Sequence, residues 1–250
     1  MTKVKTSEEI ETVKQAAEIS REAMQAALAK IKPGATKKDL NDAAAKVILE
    51  RGAKEGFKTV DNYGFATCVT VNDEVVHGIP NADVLNEGDI VSIDLGAQLG
   101  GLHTDCSTTV GVGKIAPDAQ KFLDVGKKAL KLAIAEAQDG THVGDISNAI
   151  QEVVEKAGYS VVKELTGHGI GTKLHEEPMI PGVGKRNSGP ILKSGQTVAI
   201  EVIYAMGGDE IVYKNDDGWT ISSADKSLTG LFEETILITN GEPIVLTGIN

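Results

Sequence analysis

Apolar residues recur at helical spacing from Ile10 through Val13, Ala17 and Met24, on a background rich in Glu and Lys. That period lays one apolar stripe along a helix and predicts an element running to about Lys30. Thr6-x-x-Glu9 opens it as a capping box, and Pro33-Gly34 breaks the pattern. Thr36-x-x-Asp39 caps a second helix to about Arg51. Shorter apolar runs then read as strands: Thr67–Val71, Ile90–Leu95 and Thr104–Val112. The same order follows again. Helices are expected over about Asp118–Gln138 and Val143–Lys156, and strands over Val161–Leu165, Thr197–Ile203, Ile211–Tyr213 and Leu231–Thr239.

The repetition extends to motifs. LNEGDIVSID (Leu85 to Asp94) matches LKSGQTVAIE (Leu192 to Glu201) at an offset of 107 residues. GATKKDL at Gly34 matches GTHVGDI at Gly140, and the helices that follow close at Gly52 and Gly158, both offset by 106. HGIP at His77 is echoed by HGIG at His168, at the shorter offset of 91. Four pairs in one order point to a single domain over residues 1–250, built of two similar halves, roughly 1–115 and 116–250. Helices preceding strands in each half predict an α+β fold, its helices packed outside a curved antiparallel sheet. A pseudo-two-fold axis between the halves would set Asp94 and Glu201 facing each other across the centre.

Composition narrows the class. The chain has 250 residues, 41% of them hydrophobic, and a net charge of −11. It is neither disordered nor membrane-spanning, since no apolar run approaches the ~18 residues of a spanning helix. The polar start MTKVKTSEEIETVKQ lacks the apolar middle of a secretory signal, so a cytoplasmic protein is expected. Cys68 and Cys106 form no zinc-finger or CxxC pattern, and no disulfide framework is implied. The acidic balance argues against a nucleic-acid surface and leaves room for transient contact with a ribosome.

The chemistry starts at Glu201, which ends the apolar run Val198-Ala199-Ile200. An ionised carboxylate in such a setting is costly unless it is paired or bound to a metal. Taken alone, a strand that reaches water is the plainer reading; the echo at Asp94 changes it. GGLHTDCSTTV supplies Asp105, and LFEETILIT supplies Glu233 and Glu234. Strand alternation lets only one of those two glutamates face the centre without a bulge, and Glu234 is expected to face away. His168 and His175 in ELTGHGIGTKLHEEP are too far apart for a helical zinc pair, so a glycine-rich bend carrying one ligand and one reacting side chain is expected. Asp94, Asp105, His168, Glu201 and Glu233 make an oxygen-rich set with one imidazole. Four carboxylates are too much charge for one divalent ion; two ions, roughly 3.5–4 Å apart and sharing a bridging hydroxide, would balance them. Mn, Fe, Co or Zn suit such ligands.

At this point the sequence resembles a type I methionine aminopeptidase of the pita-bread (creatinase/aminopeptidase) fold. The resemblance covers nearly the whole chain. It rests on VNDEVVHGIP (71–80), EGDIVSIDLG (87–96), the Asp94/Asp105 spacing, GHGIGTKLHEEP (167–178), AIE (199–201), DDGWT (216–220) and FEETI (232–236). It implies a metallo-aminopeptidase that removes the initiator methionine from nascent polypeptides when the next residue is small. It makes Asp94, Asp105, His168, Glu201 and Glu233 the ligands of two metal ions, bridged by Asp105 and Glu233. His77 and His175 would contact the substrate and its reacting peptide bond, and Glu201 would also move the proton. Tyr63, Cys68, Leu174 and Trp219 would line the methionine slot, with His77 at its edge. A monomer is the default.

Three positions depart from the family pattern. Val202 stands where a proline is common, so a looser exit from the strand is expected. Glu234 stands where a histidine is common, so a changed neighbourhood and no sixth ligand is expected. Leu174 replaces an aromatic beside the second histidine, which alters the slot. The type II insertion between the last motifs is missing. The rival readings are an X-Pro aminopeptidase or prolidase, which usually carries an additional N-terminal domain, and a non-catalytic binding protein on the same fold, which would be expected to lose ligands. A weaker variant has the changes at Val202 and Glu234 leaving one ion bound.

Overall fold

The computed structural model describes residues 3–214 and 217–250; Met1, Thr2, Asn215 and Asp216, the last of them in the DDGWT motif, lie outside the described residues. Both expected capping boxes form. The Glu9 N–H donates to Thr6 Oγ1 at 3.2 Å and the Thr6 N–H to the Glu9 carboxylate at 2.8 Å, which opens α1 over Ser7–Leu28. Thr36 and Asp39 do the same for α2, Lys37–Glu50. In the second half α3 spans Pro117–Ala135 and α4 spans Val143–Lys156. Gly52 and Gly158 follow α2 and α4 with φ of 75° and 85°, the left-handed region in which glycine closes a helix without a Cβ clash.

The principal strands are β1 (Thr67–Val71), β2 (Ile90–Leu95), β3 (Cys106–Gly111), β4 (Thr166–Gly169), β5 (Glu176–Pro181), β6 (Thr197–Ala205) and β7 (Thr229–Leu237). Among the described residues they belong to a nine-stranded antiparallel sheet, in the order β5-β4-β6-β7-β3-β2-β1. β3 and β7 are neighbours at its middle, so strands from the two ends of the chain lie on opposite sides of one seam. Alternation then divides each strand. Val198, Ile200, Val202 and Tyr204 of β6 are fully buried in one core with Phe122, Leu130, Ile146 and Ile150 from α3 and α4. Val69, Val91 and Ile93 pack with Met24, Leu40 and Ile48 from α1 and α2. With the helices taking that face, the residues between, Glu201 among them, are left to the other.

Packing of α3 on the sheet leaves no spare room. A Cβ on Gly126 would lie 2.5 Å from the Phe232 ring and 2.5 Å from the Tyr204 hydroxyl, and that hydroxyl is already anchored to the Phe122 carbonyl at 2.6 Å. Both rings are fully buried and have nowhere to move. Gly126→Ala is therefore expected to destabilise the chain by about 1–3 kcal/mol despite the better helix propensity of alanine; urea melts of the two proteins measure it.

Several expectations need correcting. The strand expected over Val161–Leu165 stops at Val161, because Lys163 and Glu164 form a turn, and pairing resumes at Thr166. The glycine-rich segment expected as a bend carries His168 inside β4 and bends only after it, over 171–175, where His175 lies. The exit after Glu201 is not loose: β6 runs on to Ala205, and Val202 pairs with Phe232 and is fully buried. The HGIP and HGIG motifs do not occupy corresponding places. His168 lies opposite Ala199 in the sheet, whereas His77 follows the short strand Glu74–Val76 with a φ of 58°.

Candidate metal centre and substrate cavity

Strand pairing alone assembles most of the centre. Across the sheet the directly opposed residues run Cys68, Asp94, Ser107, Glu233, Glu201. Opposed residues share a face, so three carboxylates stand in one row. Asp105 lies two residues before Ser107 and joins that face. His168 lies opposite Ala199, two residues before Glu201, and arrives from the other side. Its flanking glycines make this approach possible: a Cβ at Gly167 would sit 2.6 Å from the Ala199 carbonyl oxygen, and one at Gly169 would sit 2.6 Å from that of Glu177. At Gly78, beside His77, a Cβ would meet the Val69 carbonyl oxygen at 2.3 Å. The His77 backbone itself is in the left-handed region, a strained conformation for a residue with a Cβ and one found at functional sites.

Oxygen and nitrogen atoms of Asp105, His168 and Glu233 all lie within 4.8 Å of one another. His168 Nε2 is 3.4 Å from Glu201 Oε1 and 4.0 Å from Asp105 Oδ2. The Gly169 carbonyl, 2.8 Å from His168 Nδ1, can only accept, so Nδ1 carries the hydrogen and Nε2 presents a lone pair to the carboxylates. That is the tautomer of a metal-ligating histidine with its other nitrogen anchored. Glu201 is not in open water; its side chain is 13% exposed.

Crowded charge is the main electrostatic fact. Burial pushes Asp94 up to about 7. Burial, and then the charges of Asp94 and Glu201, hold Asp105 well above the usual carboxylate range. Glu201 is raised by burial and Asp94, and Glu233 by burial, Asp105 and Glu201. Asp94 Oδ1 and Glu233 Oε1 are buried with no hydrogen-bond partner. Orphaned acceptors among mutually repelling carboxylates fit a divalent cation, whose charge reverses the penalty. Burial also lowers His168 to about 4 and depresses His175 and His77, keeping all three imidazoles neutral near pH 7.

One cavity is lined by all eleven residues singled out in the sequence: Tyr63, Cys68, His77, Asp94, Asp105, His168, Leu174, His175, Glu201, Trp219 and Glu233. At one end Tyr63, Cys68 and Leu174 form an apolar cluster with Phe57 and Ile170, and Trp219 packs against it. The Tyr63 and Trp219 rings meet edge-to-face at 4.9 Å. The His175 ring lies 4.5 Å from that of His168, and His77 lies 6.2 Å from Trp219. Six further lining residues were not anticipated: Phe57, Val60, Val76, Leu165, Thr166 and Ile203. Strand alternation from Glu201 and His168 signals Ile203 and Thr166. Phe57 sits on a one-turn 3₁₀ helix, Gly56–Thr59, with no motif to mark it; its ring, 6.4 Å from Tyr63, supplies an aromatic wall in a slot where Leu174 has none.

A sheet that gathers four carboxylates and an anchored imidazole at the end of an apolar slot has the make-up of a metal-dependent hydrolase. The chain belongs to metallopeptidase family M24, whose sequence pattern it matches over residues 11–240. Within that family it is similar to the methionine aminopeptidases. It is 41% identical to a methionine aminopeptidase of Aquifex aeolicus, with 96% of each chain covered. A crystal structure of methionine aminopeptidase from Thermotoga maritima superposes with a TM-score of 0.96 at 39% identity, covering 99% of both chains. A prolidase from Pyrococcus furiosus shares the fold alone: TM-score 0.80 at 24% identity, covering 99% of this chain and 66% of that one. These likenesses bear out the pita-bread fold. No helix among the described residues is long and apolar enough to cross a membrane.

Proposed function

We infer that the protein is a methionyl aminopeptidase, releasing the N-terminal methionine of peptides and nascent proteins when the second residue is small. The observation that carries this reading is the junction, in one cavity, of an apolar aromatic slot with a buried carboxylate–imidazole cluster. An unbranched thioether suits the slot: it adapts to irregular walls and gains about 0.3–1.5 kcal/mol from aromatic contact, and Phe57, Tyr63 and Trp219 offer the rings.

Asp94, Asp105, His168, Glu201 and Glu233 would hold two divalent ions, Mn, Fe, Co or Zn. When bound, such ions supply Lewis acidity and lower the pKa of water toward neutrality. The chain's own groups do the rest. Glu201, partly open to the cavity, takes the proton of the attacking water and returns it to the leaving amine. His77 and His175, neutral and facing the cavity, donate hydrogen bonds to the substrate amide and to the oxygen on which negative charge develops. Cys68 serves as a small wall: burial raises its thiol well above the ordinary value, the opposite of a nucleophile's requirement. The whole chain acts as one catalytic domain of two halves, a cytoplasmic monomer working on nascent N-termini, with no more than transient contact with the ribosome.

Hydrolysis of Met-Ala-Ser and Ala-Pro-Ala by the Mn-loaded protein tests the assignment. Met-Ala-Ser is expected to be favoured by more than about 200-fold in kcat/KM, beyond what a single methylene in a pocket confers. Preference for Ala-Pro-Ala would move the protein to the prolidase-like reading, and cleavage of neither to the binding-protein one.

A further inference from the structure

Glu234 faces away from the cavity, yet it is only 2% exposed, and its carboxylate is enclosed by donors from one stretch of chain. Oε1 accepts from the backbone N–H of Ile249 and of Asn250, both at 2.8 Å, and from Asn250 Nδ2 at 3.3 Å; Oε2 accepts from the Thr247 hydroxyl. The same stretch reaches across the seam between β3 and β7. Asn250 Nδ2 also lies 3.0 Å from the Ser107 carbonyl oxygen on β3 and 3.2 Å from that of Glu233 on β7. Thr247 Oγ1 receives the Thr235 N–H at 3.1 Å, and the Leu246 N–H donates to the Thr235 carbonyl at 2.9 Å. Thr235 in turn grips the backbone of Asp105: its hydroxyl donates to the Asp105 carbonyl at 2.7 Å and accepts the Asp105 N–H at 2.9 Å.

Backbone pairing across the seam is sparse, though Thr109 Oγ1 donates to the Leu231 carbonyl and accepts the Leu231 N–H, both at 2.9 Å. β3 and β7 share a single registered pair among the described residues, Glu233 with Ser107, against six pairs between β2 and β3 and nine between β6 and β7. Asp105 and Glu233 approach each other across this sparsely paired seam, from different halves of the chain. We propose that Glu234 and Asn250 are positioning residues: they clasp the Leu246–Asn250 segment behind the seam and hold Asp105 and Glu233 at the separation the divalent ions require. The clasp gives a role to one of the three departures from the family pattern. A carboxylate here can receive several N–H and O–H donors at once, which a neutral imidazole, with one acceptor nitrogen, cannot.

This proposal rests on the two-ion reading of the site, and its test separates the two. The full chain is stripped with chelator and titrated with Mn(II), as wild type, Asn250→Ala and Glu234→Gln; thermal midpoints and amide exchange at 246–250 are measured alongside. Asn250 is exposed, so its truncation leaves the fold in place. Expected for Asn250→Ala is a roughly 10–100-fold loss of Mn(II) affinity, the range typical of residues that orient ligands, with faster exchange at Ile249 and a nearly unchanged melting midpoint. Glu234→Gln, with one acceptor oxygen instead of two, is expected to fall on the same side. Unchanged Mn(II) affinity in both variants overturns the clasp, as does a loss that merely tracks a collapse in melting midpoint. Wild type that takes up no Mn(II) overturns the site reading and the clasp with it, and shows itself before any variant is compared.

Discussion

Glu201→Gln is expected to lower kcat on Met-Ala-Ser by about 10²–10⁴-fold, the usual contribution of a positioned acid–base group, while divalent metal remains bound. The amide keeps the size of the side chain and one oxygen near His168 Nε2, where Glu201 Oε1 now sits at 3.4 Å. It cannot accept a proton at neutral pH. Glu201 is better placed to do so than Asp105, His168 or Glu233, each of which is more deeply enclosed. Turnover with metal content measured on the same sample decides the matter. Retained metal with lost turnover assigns the proton to Glu201, and near-normal turnover removes it from the mechanism.

Asp105→Asn is expected to abolish hydrolysis by a different route, through the metal. Asp105 stands at the middle of the cluster, and its Oδ1 accepts the Cys106 N–H at 3.0 Å, so an asparagine retains the shape. It removes one negative charge and turns an N–H₂ toward the other carboxylates. Mn(II) affinity should fall by more than the roughly 10–100-fold typical of residues outside the ligand set. The metal-stripped chain should respond in the opposite sense. Burial and the neighbouring charges of Asp94 and Glu201 disfavour ionised Asp105, so replacing it relieves repulsion and raises the melting midpoint of the stripped protein. A lower affinity for metal joined to a higher stability without it is a pattern that general damage to the fold does not produce.

Much of this was legible in the chain. The helices α1, α2 and α4 carry their signals locally: an apolar period in each, a capping box at the start of α1 and α2, and a glycine just past the end of α2 and α4. β1 and β2 coincide with the strand-like runs Thr67–Val71 and Ile90–Leu95. The ligands were legible because a charged residue inside such a run is costly and calls for a reason, and because alternation separates Glu233 from Glu234. What failed was long-range. β4 is a strand only because two glycines let it lie against β6 and β5, which no local propensity encodes. HGIP echoes HGIG in letters, but its offset of 91 departs from the 106–107 of the other pairs, and the backbone places it elsewhere. Val202 reads as the loss of a stiffening proline, yet its partner Phe232 and the core beneath α3 keep the strand continuous. Glu234 was expected to face away from the centre, and it does; the donors that receive it come from residues 247–250, which carried no motif.

The most direct measurement of the central claim is methionine released from Met-Ala-Ser as Mn(II) is returned to the chelator-stripped protein. No release is expected from the stripped chain, recovery as the ions bind, and none for Asp105→Asn over the same Mn(II) range. Full release by the stripped chain, or by Asp105→Asn at the wild-type rate, would contradict it.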